Sequence, residues 1–169
     1  MRRKYDLIIV AGAPGAGKTS ISEVLKDKFQ GVHIDSGWLR DYHLNKGWKN
    51  ANKKEEQMAF ENLIFIIKNY LKNGYKNIII DDLLYDKIVT LEKIFKSKQL
   101  VILILTLDDK ELKRRISHPT RDSGFRNLKK AKIYARQWEK CKLPRSMTLD
   151  ITHYSIQESA NKIMKMLTP

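Results

Sequence analysis

A chain of 169 residues with 42% hydrophobic content is about one domain long and has enough apolar side chains for one buried core. Its 33 Lys and Arg against 19 Asp and Glu give a formal net charge of +14, so phosphates, phosphorylated molecules or nucleic acid are attracted to it. The longest apolar runs are strand-length, far below the roughly 18 residues of a membrane span, so no membrane association and a soluble cytoplasmic protein are expected.

In chain order, apolar and β-branched runs recur at residues 5–11, 32–35, 77–82, 100–107 and 147–151, with helical periodicity between them. Strands alternating with helices predict an α/β fold on a parallel sheet. The runs at 7–10, 78–80 and 101–105 are continuously apolar, as central strands covered on both faces should be. A first helix opens in the glycine-rich turn after the first strand, with Ile21, Val24, Leu25 and Phe29 inward, and ends near Gln30 and Gly31. A longer helix is predicted from about Lys54 to Lys72, with Phe60, Leu63, Ile64, Ile67 and Leu71 inward and Asn73-Gly74 as its stop. Asp108 to Glu111 start a helix that Pro119 closes, and Ser155-Ile156-Gln157-Glu158 is a capping box for a last helix burying Ile156, Ala160, Ile163 and Leu167. No repeat, low-complexity tract or linker interrupts the pattern, so one domain over 1–169 is expected. The single cysteine, Cys141, has no partner for an internal disulfide and reads as a half-buried side chain near a helix end.

Residues Gly12, Ala13, Pro14, Gly15, Ala16, Gly17, Lys18 and Thr19 fit G-x-x-x-x-G-K-[ST] at every fixed position, between an apolar strand and an amphipathic helix. That setting lets backbone N–H groups and a helix N-terminus cradle phosphates. Lys18 is placed for the β and γ oxygens and the Thr19 hydroxyl for Mg²⁺, so ATP and Mg²⁺ are the expected ligands, with Ser20 completing the binding set.

Phosphoryl transfer to a hydroxyl is mostly positioning and charge stabilisation, aided by a carboxylate that orients the hydroxyl and takes its proton. In an open parallel sheet that carboxylate should sit beyond the C-terminal end of a strand beside the phosphate loop. Asp35 ends the second strand, and Asp81 and Asp82 end the third, where Asp81 would support Mg²⁺ and Asp82 the acceptor. Each aspartate also fits a helix cap, since Asp35-Ser36 precedes Trp38-Leu39-Arg40. After the fourth strand, Arg114, Arg115 and Arg121 lie in a segment, 114–127, suited to a lid over the nucleotide, because the guanidinium fork grips phosphate oxygens and its face stacks on adenine.

On these residues, and on Asp150-Ile151-Thr152-His153 before the last helix, the chain resembles the P-loop small-molecule kinases, most of all the chloramphenicol phosphotransferase type, with shikimate and gluconate kinases further off. The resemblance implies a three-layer fold with a five-stranded parallel sheet of order 2-3-1-4-5 and helices on both faces. It also implies Asp35 as general base, Arg115 at the adenine face, Arg121 on the phosphates, and Thr152 and His153 beside the base. With Lys18, Asp35 and Arg121 form the expected catalytic set, and Asp35, Trp38, Arg40 and Asp82 the expected acceptor contacts.

The acceptor-side segment, about 36–58, departs from that relative. It is rich in Asn, Lys and Glu and lacks the apolar character a chloramphenicol pocket requires. Trp38 and Trp48 in this stretch suit ring stacking, although packing against the body of the protein is the commoner use of an aromatic. Arg40 suits an acidic group of the acceptor. The expected partner is a small-molecule hydroxyl. Two alternatives stand beside it: a 5′-hydroxyl polynucleotide kinase using the same machinery, and an ATP-binding module without transfer. His33, His43, His118 and His153 have no metal-ligand spacing, so Mg²⁺ carried by the substrate is the one metal expected.

Overall fold

The continuously apolar runs become the strands of a parallel sheet in the computed structural model, which describes residues 5–45, 49–120 and 123–168. The strands are β1 (Leu7–Gly12), β2 (Val32–Asp35), β3 (Ile78–Asp81), β4 (Leu100–Thr106) and β5 (Ser146–Asp150). Their order is β2-β3-β1-β4-β5, with every neighbouring pair parallel. The helices are α1 (Lys18–Phe29), α2 (Ser36–Asp41), α3 (Lys53–Lys72), α4 (Tyr85–Ile94), α5 (Asp109–Ile116), α6 (Leu128–Glu139) and α7 (Ile156–Leu167). No helix among the described residues is long and apolar enough to cross a membrane.

Alternation along the strands splits the core between the two faces of the sheet. Ile8, Val10 and Ile79 pack with Ile21 and Leu25 of α1, Leu112 of α5 and Ile163 of α7. Leu7, Ile9, Ile78 and Ile80 pack with Leu63 and Ile67 of α3 and Leu91 of α4. Burying a Leu or Ile side chain contributes about 1.5–3 kcal/mol, so these strands are held chiefly by the helices that cover them.

Local signals set most helix ends. Asn52 caps α3 by accepting from the Glu55 amide at 3.0 Å, and Asp108 caps α5 by accepting from the Glu111 amide at 2.7 Å. The capping box forms at Ser155 and Glu158. It also corrects the expected apolar face of α7: Ile156, the first residue inside the cap, is exposed, and Ser159 is buried beside Ala160 and Ile163. The inward stripe therefore begins one turn later, at Ser159 and Ala160. Cys141 is half-buried just beyond α6, as expected.

The edge opposite the strand C-termini is tied by Asn77, which adopts φ +54°. Its side chain accepts from the Tyr5 amide at 2.9 Å and donates to the Phe29 carbonyl at 3.1 Å. Asn77→Ala leaves both backbone groups without these partners and puts a residue poorly suited to the left-handed region at that φ. The expected loss of unfolding free energy is about 2–4 kcal/mol, read from the shift of the urea midpoint. A loss below about 1 kcal/mol would contradict this role.

Candidate active site

The phosphate loop is shaped by where β1 stops. Gly12 has φ +148°, and a Cβ there would lie 2.7 Å from the Leu105 carbonyl oxygen on β4, so only glycine lets the chain leave the sheet at this point. The loop then closes on itself, the Ala16 amide donating to the Ala13 carbonyl at 3.0 Å. Gly17, at φ +73°, starts α1 with no side-chain cap, and the first turn carries no acidic residue. The positive end of the α1 dipole is thereby left for an anion that comes from elsewhere. Lys18 folds back so that its Nζ donates to the Ala13 carbonyl at 3.3 Å, poised over the loop. Thr19 is half-buried and Ser20 exposed at the same helix start.

The acidic strand ends converge beside this loop. Asp35 and Asp81 are register partners on β2 and β3, and β3 pairs directly with β1. By strand alternation their side chains lie on the α1 side of the sheet, with His33 and Ile79. Asp35 is also the N-cap of α2: its Oδ1 accepts from the Gly37 amide at 2.8 Å. A Cβ on Gly37 would lie 2.9 Å from both Asp35 Oδ1 and Asp82 Oδ2, so those two oxygens close around one small residue.

Each neighbouring aspartate is held differently. Asp81 is fully buried; its Oδ1 is 3.2 Å from His33 Nε2, while its Oδ2 has no hydrogen-bond partner. Asp82, at φ +53°, turns out of the strand and pairs with Arg40, whose guanidinium also lies 4.0 Å from Glu56. The Ser36 hydroxyl donates to the Asp82 carbonyl at 2.6 Å, locking α2 to the end of β3. Arg40, expected on an acidic acceptor group, is therefore engaged with carboxylates of the protein itself. Trp38, read above as more often a packing residue, is 57% exposed and tilted beside the His33 ring at 6.1 Å between centroids.

The Asp35 carboxyl is pushed up from its ordinary value, first by burial and then by the charge of Asp81, with Asp82 adding and the Gly37 amide opposing. The residues present fit Mg²⁺ as well: the buried Asp81 carboxylate leaves its Oδ2 without a protein partner, and Thr19 lies in the first turn of α1.

On the other side of the loop, α5 ends against the phosphate site. A Cβ on Gly17 would be 3.6 Å from Arg115 Nη1, and the same guanidinium donates to Glu111 at 2.7 Å and to the Ile151 carbonyl at 3.4 Å. Hydrogen bonds from Arg114 and Arg115, working against the cost of burial, hold the Glu111 carboxyl down at about 2. Thr152 Oγ1 accepts from the Asp108 amide at 2.9 Å, fixing the loop after β5 to the start of α5, with His153 exposed beside it. In the lid segment, Ser117 to Thr120 are exposed and Phe125 rests on the core that includes Ile116. Arg121 lies outside the described residues, as does Trp48.

A family model described as an AAA domain matches residues 8–135, most of the chain and all of the elements just described up to α6. The chain belongs to that AAA domain family. This AAA domain protein is also similar to a "Putative adenylate kinase" of Pyrococcus abyssi, 31% identical over 75 residues, a match covering 44% of this chain and 39% of that relative. Among solved structures, a gluconokinase from Sinorhizobium meliloti superposes with a TM-score of 0.66 at 15% identity, over 98% of this chain and 95% of the other. A chain of the Pnkp1/Rnl/Hen1 RNA repair complex superposes at 0.69 and 18% identity, over 86% and 50%. At such identities the structural likeness establishes the fold, which is the kinase-like P-loop fold.

Two residues of the site had no role in the sequence reading. His33 was visible only as a histidine without metal-ligand spacing; the signal was its place two residues before Asp35, on the same strand face. Glu111 read as a helix start, and the signal for more was its spacing of three and four residues from Arg114 and Arg115.

Two outcomes are expected here. Lys18→Ala should weaken ATP binding at least tenfold by titration calorimetry, since it removes the cation beside the phosphate loop; unchanged affinity would contradict the site. Asp35→Asn should raise the stability of the ligand-free protein at pH 7. A carboxyl whose folded-state pKa lies above its unfolded value loses stability as pH rises through that range, and Asn removes the charge while keeping the cap. The gain should vanish below about pH 4, where both side chains are neutral. A lower urea midpoint for Asp35→Asn at pH 7 would contradict the crowding of carboxylates.

Proposed function

We propose that the protein transfers the γ-phosphoryl group of ATP to a hydroxyl of a small molecule. The observation that carries this reading is the placement of Asp35, half-buried and crowded by Asp81 and Asp82, on the sheet face that also bears the phosphate loop. The loop amides and the α1 N-terminus would hold the phosphates, and Lys18 would swing from the Ala13 carbonyl to the β and γ oxygens. Thr19 and Asp81 would hold Mg²⁺, which when bound neutralises charge on the phosphate oxygens. Asp35 would orient the acceptor hydroxyl with one carboxylate oxygen and take its proton as the new P–O bond forms, while Oδ1 stays on the Gly37 amide. Arg115 and, from the lid, Arg121 would complete the grip on the nucleotide, with Thr152 and His153 near the base.

Trp38 beside His33, and Arg40 joined to Asp82 and Glu56, would border the acceptor. This polar border does not match a chloramphenicol pocket, so the resemblance to the chloramphenicol phosphotransferase type does not extend to the substrate. The Pyrococcus relative's name adds nucleoside monophosphates as candidate acceptors. The two acceptor types separate chemically, because a phosphate acceptor is already ionised and needs no base, whereas a hydroxyl does.

The test is acceptor-stimulated ADP release over a panel of sugars, nucleosides, amino alcohols, nucleoside monophosphates and 5′-hydroxyl oligonucleotides. With a small-molecule hydroxyl acceptor in hand, Asp35→Asn should lower kcat by about 10²-fold or more while ATP affinity stays within about twofold. Full turnover in the Asn variant would overturn the base assignment, stimulation by nucleoside monophosphates alone would overturn the hydroxyl acceptor, and stimulation by oligonucleotides alone would replace the small molecule with a strand end.

A further inference from the structure

Asp81 is buried in a way that requires explanation. A fully buried carboxylate pays a large desolvation cost unless its oxygens find donors or cations. Oδ1 has one, the His33 ring nitrogen at 3.2 Å, and the His33 side chain is itself only 4% exposed. Oδ2 has none. A carboxylate that serves a metal is ionised and only accepts hydrogen bonds, and in that state the proton of the contact comes from His33 Nε2. The ring is placed from two directions, by its position on β2 two register steps before the Asp35–Asp81 pair and by Trp38 alongside.

From this geometry we infer that His33 is a positioning residue: by holding Oδ1 it fixes the orientation of the Asp81 carboxylate and leaves Oδ2 as the oxygen for Mg²⁺. The inference rests on Asp81 serving the metal in the reading above, and it adds a dependence that reading does not contain. Outer-shell partners of this kind typically change metal affinity by about 10–100-fold when removed, because the ligand must otherwise be ordered at the moment of binding. A histidine that merely filled space on β2 would be replaceable by an apolar ring of similar shape. One that holds Asp81 by donation would be replaceable only by another donor.

The experiment is titration calorimetry of ATP binding, in EDTA and in saturating Mg²⁺, with no acceptor present and so no dependence on turnover. His33→Phe keeps a ring against Trp38 and removes the donor; His33→Gln restores an N–H; Asp81→Asn removes the carboxylate. His33→Phe should bind ATP in EDTA within about twofold of the wild type and lose about tenfold of the extra affinity that Mg²⁺ confers. His33→Gln should recover most of that gain. Should the Phe variant fold poorly, His33→Leu gives the same comparison. A Phe variant that keeps the Mg²⁺ gain, one that loses affinity equally in EDTA, or a Gln variant that behaves like Phe would overturn the inference. If Asp81→Asn keeps the Mg²⁺ gain, the assignment of Asp81 to the metal falls and the role of His33 falls with it. Loss in Asp81→Asn with none in His33→Phe rejects His33 alone.

Discussion

The pairing of Asp35 with Asp81 across β2 and β3 is the constraint on which the site depends. Parallel register places these carboxylates at the same level, at the strand ends where the chain leaves the sheet, and β1 next to them ends in the phosphate loop. Two acids at such close quarters oppose each other, and the folded protein keeps them there because β3 is fully buried and β2 pairs with it along its length. The core on each face supplies the free energy that holds this unfavourable arrangement in place.

Relief of the crowding is distributed among the neighbours. Arg40 takes Asp82, His33 takes one oxygen of Asp81, and the Gly37 amide takes one oxygen of Asp35. What is left over is directional: the second oxygen of Asp81 faces no donor, and the α1 N-terminus has no side-chain cap. Those leftovers have opposite polarity, one suited to a cation and the other to an anion. A metal–polyphosphate pair has the matching charges.

Much of this arrangement was legible in the sequence. The strands, most of the helices and the loop at residues 12–19 follow from short-range signals, namely β-branched runs, glycines at fixed spacing, and capping residues such as Asp108 and Ser155, while the sheet order came by resemblance. α4 and α6 went undistinguished among the helical segments, because their buried faces are short, with Ile88 and Leu91 in one and mostly alanine in the other. The misplaced Ile156 shows the limit of periodicity, which gives the spacing of a stripe but not the turn at which it becomes buried.

Long-range pairings were the least visible. Nothing local to Arg40 says that Asp82, far along the chain, turns out of β3 at φ +53° to meet it, so the sequence suggested an acceptor contact where the fold places an internal ion pair. The same holds for His33 and Asp81, which only the β2–β3 register joins. Trp38, for which packing was weighed above ring stacking, stands exposed on α2.

The central claim is that Asp35 faces the phosphoryl group to be transferred. A crystal structure with Mg²⁺ and a non-hydrolysable ATP analogue tests it most directly. Lys18 Nζ is expected on the β and γ oxygens and an Asp35 carboxylate oxygen opposite the γ-phosphorus, with room between them for one hydroxyl within about 3–3.5 Å of each. An Asp35 that only caps α2, with its free oxygen turned from the γ-phosphate, would contradict it.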